Sequence, residues 1–309
     1  MLNPRATLAV IICHMLTGSA SVATRYLVGT MEPLDIAFLR YLLGGLALLP
    51  LLLVARRQSL SGPLVIQILS LGILFFGLFP WIHATAFQYT TASRGAIVLA
   101  TMPIWAMLLG HFLGSDPFSL RTLSGIFLAV AGVGIALYDK SLSAGISAGF
   151  QGELIMLAAA IVGAIYSVFS KPALKHTSAF LFTPLAMLSG CLFLSPLAFQ
   201  ENVFSNYAAL PTTPLVVMAY LGIIAGGLAF FLFNWVLDKT TPTITTLFVT
   251  LNPVTAIVLA WLLLDEAMTP YFFLGATMVI IGIILSLWPQ RKEQNLSRQN
   301  GQMNAEQPE

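Results

Sequence analysis

His14, Thr17, Ser21 and Thr24 stand three, four and three residues apart in a run that is otherwise almost wholly apolar. Steps of three and four place side chains on one face of a helix, so an imidazole and three hydroxyls form one polar stripe. A second stripe runs through Thr241, Thr245, Asn252 and Thr255, at steps of four, seven and three. Neutral hydrogen-bonding groups of this kind suit the holding of a small polar solute. Taken singly, each Ser or Thr also has a structural reading, because its hydroxyl can bond to its own helix backbone. The positions 150 residues before the second stripe are Thr91, Gly95, Met102 and Trp105, which bring a thioether and an indole to the equivalent face. Two isolated ionisable residues add to these. Arg40 lies about six residues, or roughly 9 Å, inside an apolar segment, where it either binds a solute carboxylate or snorkels to the interface. His83 stands among Phe76, Phe79 and Phe87 at helical spacing, which gives either an aromatic pocket or a hydrogen-bonded His among lipid-facing rings. Tyr166, Asn234 and Trp235 are further cavity candidates, although Tyr and Trp also favour membrane interfaces.

The chemistry that is missing narrows the function. There is no Ser/His/Asp set, no H-E-x-x-H and no carboxylate deep in an apolar segment, so the sequence argues against an enzyme and against a proton relay through a buried acid. If transport is proton-coupled, His14 or His83 carries the coupling. Cys13 and Cys191 lie in apolar runs without ligand spacing, and nothing calls for a metal or a cofactor. A net charge of +2 gives no footprint for nucleic acid. The expected partners are a small-molecule substrate and the lipid bilayer, and no feature sets an oligomeric state.

The elements that must position these groups are membrane helices. Of 309 residues 58% are hydrophobic and 8% charged, against roughly a quarter charged in soluble proteins. Ten segments reach the approximately 20 apolar residues a span requires: 6–24, 34–54, 64–86, 93–113, 119–138, 152–170, 179–199, 214–236, 242–264 and 269–288. With the amino terminus in the cytoplasm, ten Lys or Arg face inward and only Arg25, Arg94 and Lys140 face outward, as the positive-inside rule requires. The first segment is expected to remain as a span rather than be cleaved as a signal peptide. Residues 289–309 are polar, with little to bury, and are expected to form a disordered cytoplasmic tail.

Residues 71–138 align with 221–288 without a gap, and fourteen positions are identical, among them Gly72/Gly222, Gly77/Gly227, Pro103/Pro253, Gly125/Gly275 and Gly132/Gly282. A five-span unit contains an odd number of crossings, so the second copy must enter from the opposite side. The expected organisation is a first repeat at 1–138, an outer linker at 139–150 and a second repeat at 151–288. Pro103 and Pro253 should bend their helices at midplane depth, either to shape a binding site or as packing kinks. The paired glycines read as close-packing faces.

These residues resemble the EamA-type transporters of the drug/metabolite transporter superfamily over nearly the whole chain. The resemblance is carried by AFLRYLLGGLALLPLL from Ala37, by TTASRGAIVLATMPIWAMLLGHFL from Thr90, and by FNWVLDKTTPTITTLFVTLNPVTAIVLAWLLLDEAMTP from Phe233. The last block carries the acidic pair Asp265 and Glu266, which the first copy replaces with Ser115 and Asp116. The resemblance implies an all-α integral membrane protein of ten helices in two inverted units, a central cavity, and movement of amino acids, related metabolites or toxic compounds. A bacterial inner-membrane exporter of a neutral or zwitterionic solute is the expected function, with an intramembrane enzyme or a membrane sensor or scaffold as alternatives.

Overall fold

The computed structural model describes residues 4–55, 60–113, 120–143, 150–200, 203, 207, 210–239, 251–266 and 269–287. Among the described residues there is no strand. The helices are α1 (Pro4–Leu27), α2 (Pro33–Val54), α3 (Gly62–Ala86), α4 (Ala92–Phe112), α5 (Leu120–Ser143), α6 (Gln151–Leu174), α7 (Ala179–Gln200), α8 (Thr212–Leu237), α9 (Leu251–Leu264) and α10 (Pro270–Leu287). Seven of them are long and apolar enough to cross a membrane, and Leu123–Ala136, Leu251–Leu264 and Pro270–Gly282 are shorter apolar helices. The part of the expected ninth span that holds Thr241 and Thr245 lies outside the described residues. Outward faces carry large apolar side chains: Leu53 is 90% exposed and Phe112 82%. Apolar side chains this exposed, repeated around the bundle, need lipid around them. The protein is a multi-pass membrane protein.

Packing follows a rule of five. The contacts α1 with α9, α1 with α8, and α2 with α8 recur as α6 with α4, α6 with α3, and α7 with α3, while α2 packs on α7 and α5 on α10. Exchanging each helix for the one five places along reproduces the pattern. Both α3 and α8 widen into π-helical turns, Ile73–Leu78 and Tyr220–Leu228, and the last residues of the two turns lie 150 positions apart.

Glycine makes the closest seams possible. A Cβ on Gly282 would come within 2.6 Å of the Gly125 carbonyl oxygen, and one on Gly132 within 2.7 Å of the Gly275 oxygen. The early glycine of α5 therefore faces the late glycine of α10 and the reverse, so these two helices run antiparallel. Gly44 of α2 meets Gly222 and Gly227 of α8, and Gly72 of α3 lies against Ser189 and Ala186 of α7. The core between the seams is largely aromatic, with Tyr41, Phe75, Phe76, Phe87, Tyr166 and Phe182 at its centre.

Two expectations shift in detail. The break in the helix of Pro103 lies just before the proline. The helix is interrupted at Ala100–Thr101, where Thr101 N donates to Val98 O at 3.1 Å, and Pro103 falls in the first turn of the following segment Met102–Phe112. Proline is best tolerated there, because that N–H would have no intrahelical partner anyway. Helix α5 also runs five residues past the expected end at 138, into the segment assigned to the linker, whose residues 144–149 lie outside the described residues.

Candidate functional site

A cavity with about 70 Å³ of water-accessible space lies at mid-helix depth between α1, α3, α4, α8 and α9. It is bordered by His14, Thr17 and Ser21 of α1, Arg40 of α2, Phe75, Phe79 and His83 of α3, Met102 of α4, Ser167 of α6, Phe230 and Phe233 of α8 and Asn252 of α9. Helix geometry explains the α1 edge, because His14, Thr17 and Ser21 project from successive turns of one face. Gly18 lets α9 approach closely: a Cβ there would stand 2.5 Å from the Asn252 carbonyl oxygen. Across that seam the Asn252 Oδ1 accepts from His14 Nδ1 at 3.1 Å and from the Thr17 hydroxyl at 2.9 Å. The Thr17 hydrogen has alternatives in the carbonyls of Cys13 and His14, each at 3.1 Å.

Arg40 is 3% exposed, and among the described residues no carboxylate lies within ion-pair distance of it. One guanidinium nitrogen makes a long 3.5 Å contact to Ala225 O within the α8 π-turn, the guanidinium lies 5.2 Å from the Tyr41 ring centroid, and Nε has no hydrogen-bond partner. The side chain does not snorkel; it borders the cavity. His83 is also 3% exposed, stacked on Phe79 at 5.5 Å and edge-on to Phe87 at 4.7 Å, and its Nδ1 has no partner. A cavity at mid-helix depth with an unpaired guanidinium nitrogen, an unpaired imidazole nitrogen and aromatic walls is suited to a small solute with one polar end.

Tyr166, Asn234, Trp235, Trp105 and Thr255 lie elsewhere. Tyr166 is wholly buried and stacks on Phe75 at 4.0 Å, and its hydroxyl meets Asn234, also wholly buried. Asn234 Nδ2 donates to Thr183 Oγ1 at 3.0 Å and to the Tyr166 oxygen at 3.2 Å, so the pair satisfies itself inside the core. Trp105 turns back along its own helix and donates to Thr101 Oγ1 at 3.1 Å. Thr255 lies under Gly18 in the α1–α9 seam. Phe75, Phe230, Phe233 and Ser167 border the cavity although the polar stripes do not include them. For Phe233 a signal existed, since it lies 150 positions after His83; the others are common residues in apolar runs.

The EamA-like transporter family model matches the chain twice, over residues 4–138 and 150–288. The chain belongs to the EamA-like transporter family. It is similar to the uncharacterized transporter YetK of Bacillus subtilis, at 27% identity over 88% of this chain and 83% of that one. It is also similar to a probable amino-acid metabolite efflux pump of Salmonella typhimurium, at 25% identity over 84% of this chain and 86% of the pump. A protein of known crystal structure superposes with a TM-score of 0.66 at 17% identity, covering 96% of this chain and 99% of that one. The fold is shared with that structure, and the general role is that of a transporter.

In this EamA-type chain hydrogen bonds gather at one end of the bundle. Arg25, at the end of α1, donates to Phe87 O at 2.9 Å, and Thr90 donates to the buried Glu153 of α6 at 2.8 Å. Glu266, just past α9, accepts from Ala92 N at 2.7 Å, from Ser93 N at 3.0 Å and from Ser93 Oγ at 2.6 Å. A carboxylate on the first amides of α4 satisfies orphan donors and faces the positive end of the helix dipole. These bonds join the loops around Phe87–Ser93 to three other helices beyond the cavity.

Proposed function

We propose that this chain is a secondary carrier that moves a small amino acid or related metabolite, in the export direction, by alternating access. In this reading residues 1–138 and 151–288 are two inverted five-helix units joined by 139–150, with ten spans, and with both termini and the 289–309 tail in the cytoplasm of a bacterial cell. The antiparallel α5–α10 seam and the exchange of contacts between helices five places apart support the inverted arrangement. One observation carries the functional reading: the cavity holds a buried Arg40 with no counter-ion among the described residues, His83 and a wall of Phe rings. The end that Arg25, Thr90 and Glu266 hold together is the extracellular end under the positive-inside assignment, and in this reading substrate enters from the opposite, cytoplasmic side. The name of the Salmonella relative supports amino-acid-type cargo.

The test is a metabolite-wide comparison of efflux and uptake in cells with and without the protein, followed by reconstitution in liposomes. Export of at least one amino-acid-type solute is expected, together with alternate accessibility of single cysteines placed at Met102 and Asn252. Liposomes that move no member of a broad metabolite panel, with both cysteines shielded from either side, would remove the carrier reading.

A further inference from the structure

Resting on the carrier reading, we infer that the cavity recognises the carboxylate of its cargo and not the ammonium, so that simple monocarboxylic acids with an apolar body are ligands in their own right. The charge inventory of the site leads there. Arg40 supplies one fixed positive charge, and among the described residues no acid borders the cavity. A buried guanidinium with one long carbonyl contact, one ring contact and no carboxylate among the described residues is costly in a membrane, and an anion beside it removes most of that cost. The solute carboxylate is the missing counter-ion.

The Arg40 side chain passes over Gly226, where a Cβ would stand 3.5 Å from its Cγ. The guanidinium then reaches the α8 π-turn, whose Ala225 carbonyl holds one nitrogen at 3.5 Å while Nε stays unpaired. A carboxylate can therefore take up donors that the protein leaves open. The ammonium of an amino acid finds no acid among the described residues to pair with. Asn252 Oδ1 is already bonded to His14 and Thr17, and what remains for an ammonium is uncharged: the hydroxyls of Ser21 and Ser167, the unpaired His83 Nδ1 and the faces of Phe rings. With an acid bound, site and ligand sum to zero charge. With an amino acid bound, the ammonium is left as an excess positive charge in a region of low dielectric.

Two matched sets of probes test this on the purified full-length protein: propanoate, L-alanine and ethylamine, and 3-phenylpropanoate, L-phenylalanine and 2-phenylethylamine. Binding is read as ligand-induced thermal stabilisation, and transport as competition against counterflow of whichever solute the reconstituted protein moves. In at least one set the acid is expected to bind as tightly as the amino acid or tighter, and the amine at least tenfold more weakly. Arg40→Lys should weaken acid binding by about tenfold or more, since the planar fork is lost, and Arg40→Gln should abolish it. The ligand comparison on the unaltered protein stands even if Arg40→Gln does not fold. An amine that binds as well as the amino acid, or acids that fail where the amino acids bind and are carried, overturns the inference and leaves the carrier reading intact. Absence of flux for every metabolite would remove the carrier reading, whereas acid binding that depends on Arg40 would still uphold the recognition claim.

Discussion

Gly18 of α1 and Gly163 of α6 occupy equivalent places, each pressed against the residue before a proline: Asn252 before Pro253 and Met102 before Pro103. Alanine should nevertheless be tolerated at one and not at the other. At Gly18 the added Cβ meets the Asn252 carbonyl oxygen at 2.5 Å, Thr255 Cβ at 2.9 Å and Asn252 Cα at 3.1 Å. Two of those three atoms are backbone, so α1 and α9 must move apart, and overpacking of this kind costs about 1–3 kcal/mol. The gain from replacing helical glycine by alanine returns about 0.5–1 kcal/mol. The net loss is then about 1 kcal/mol for Gly18→Ala, within a range of roughly 0–2.5 kcal/mol. At Gly163 the close atom is Met102 Sδ at 2.5 Å, the tip of a flexible side chain, and the next neighbours stand back at 3.5 and 3.6 Å. The thioether can turn aside, so Gly163→Ala should change stability by no more than about 0.5 kcal/mol in either direction. Melting of the purified protein in detergent separates the cases, at roughly 2–4 °C per kcal/mol. A Gly163→Ala protein that melts at or below Gly18→Ala would refute the argument from backbone against side-chain tip.

Glu266→Gln keeps one acceptor but removes the charge from the start of α4, and it should destabilise by about 1–2 kcal/mol; equal melting of variant and parent would show that the carboxylate contributes nothing at that helix end. Asn234→Leu removes the partner of Thr183 and Tyr166 in a dry core and should cost about 1–3 kcal/mol, read in the same assay. The Tyr207 hydroxyl donates to Asp35 Oδ2 at 2.8 Å and accepts from Glu32 N at 3.1 Å. Burial pushes that phenol up to about 12, so its contribution is intact below pH ~10 and is lost as the pH rises through the folded value. Melting curves should accordingly lose stability between those limits, and Tyr207→Phe should flatten this part of the profile.

What could be read in the sequence was what has a period or a composition. Helices, their apolar faces and the 150-residue offset are repetitive features, and the offset also marks the two π-turns, because Gly72 and Gly77 match Gly222 and Gly227. The polar stripe of α1 was legible for the same reason, and it does border the cavity with His14 and Thr17. Depth and direction were less legible. Arg40 looks the same in sequence whether it snorkels or turns inward, and the outcome depends on Gly226 and the neighbouring π-turn of a helix some 185 residues away. Tyr166 and Asn234 were invisible as a pair, because neither residue announces that its polar atom is spoken for by the other.

The border of the cavity gives the pair a further meaning. Among the described residues, the second half of the chain contributes Ser167, Phe230, Phe233 and Asn252 to it. Here the space on the α6 side is filled by Tyr166, stacked on Phe75 at 4.0 Å and anchored through Asn234 to Thr183. The remaining 70 Å³ is small beside the roughly 300–1,000 Å³ of typical ligand pockets. Larger cargo then needs more room, and the Tyr166 ring stacked behind Phe75 is the filling whose removal would extend the cavity across the interface. Tyr166→Ala should enlarge the site and admit bulkier acids at a cost of about 3–5 kcal/mol in stability. Tyr166→Phe should keep the stack and the size limit while losing the bond to Asn234. If the two variants bound the same range of ligand sizes in the thermal-shift panel, the ring would not be what bounds the cavity.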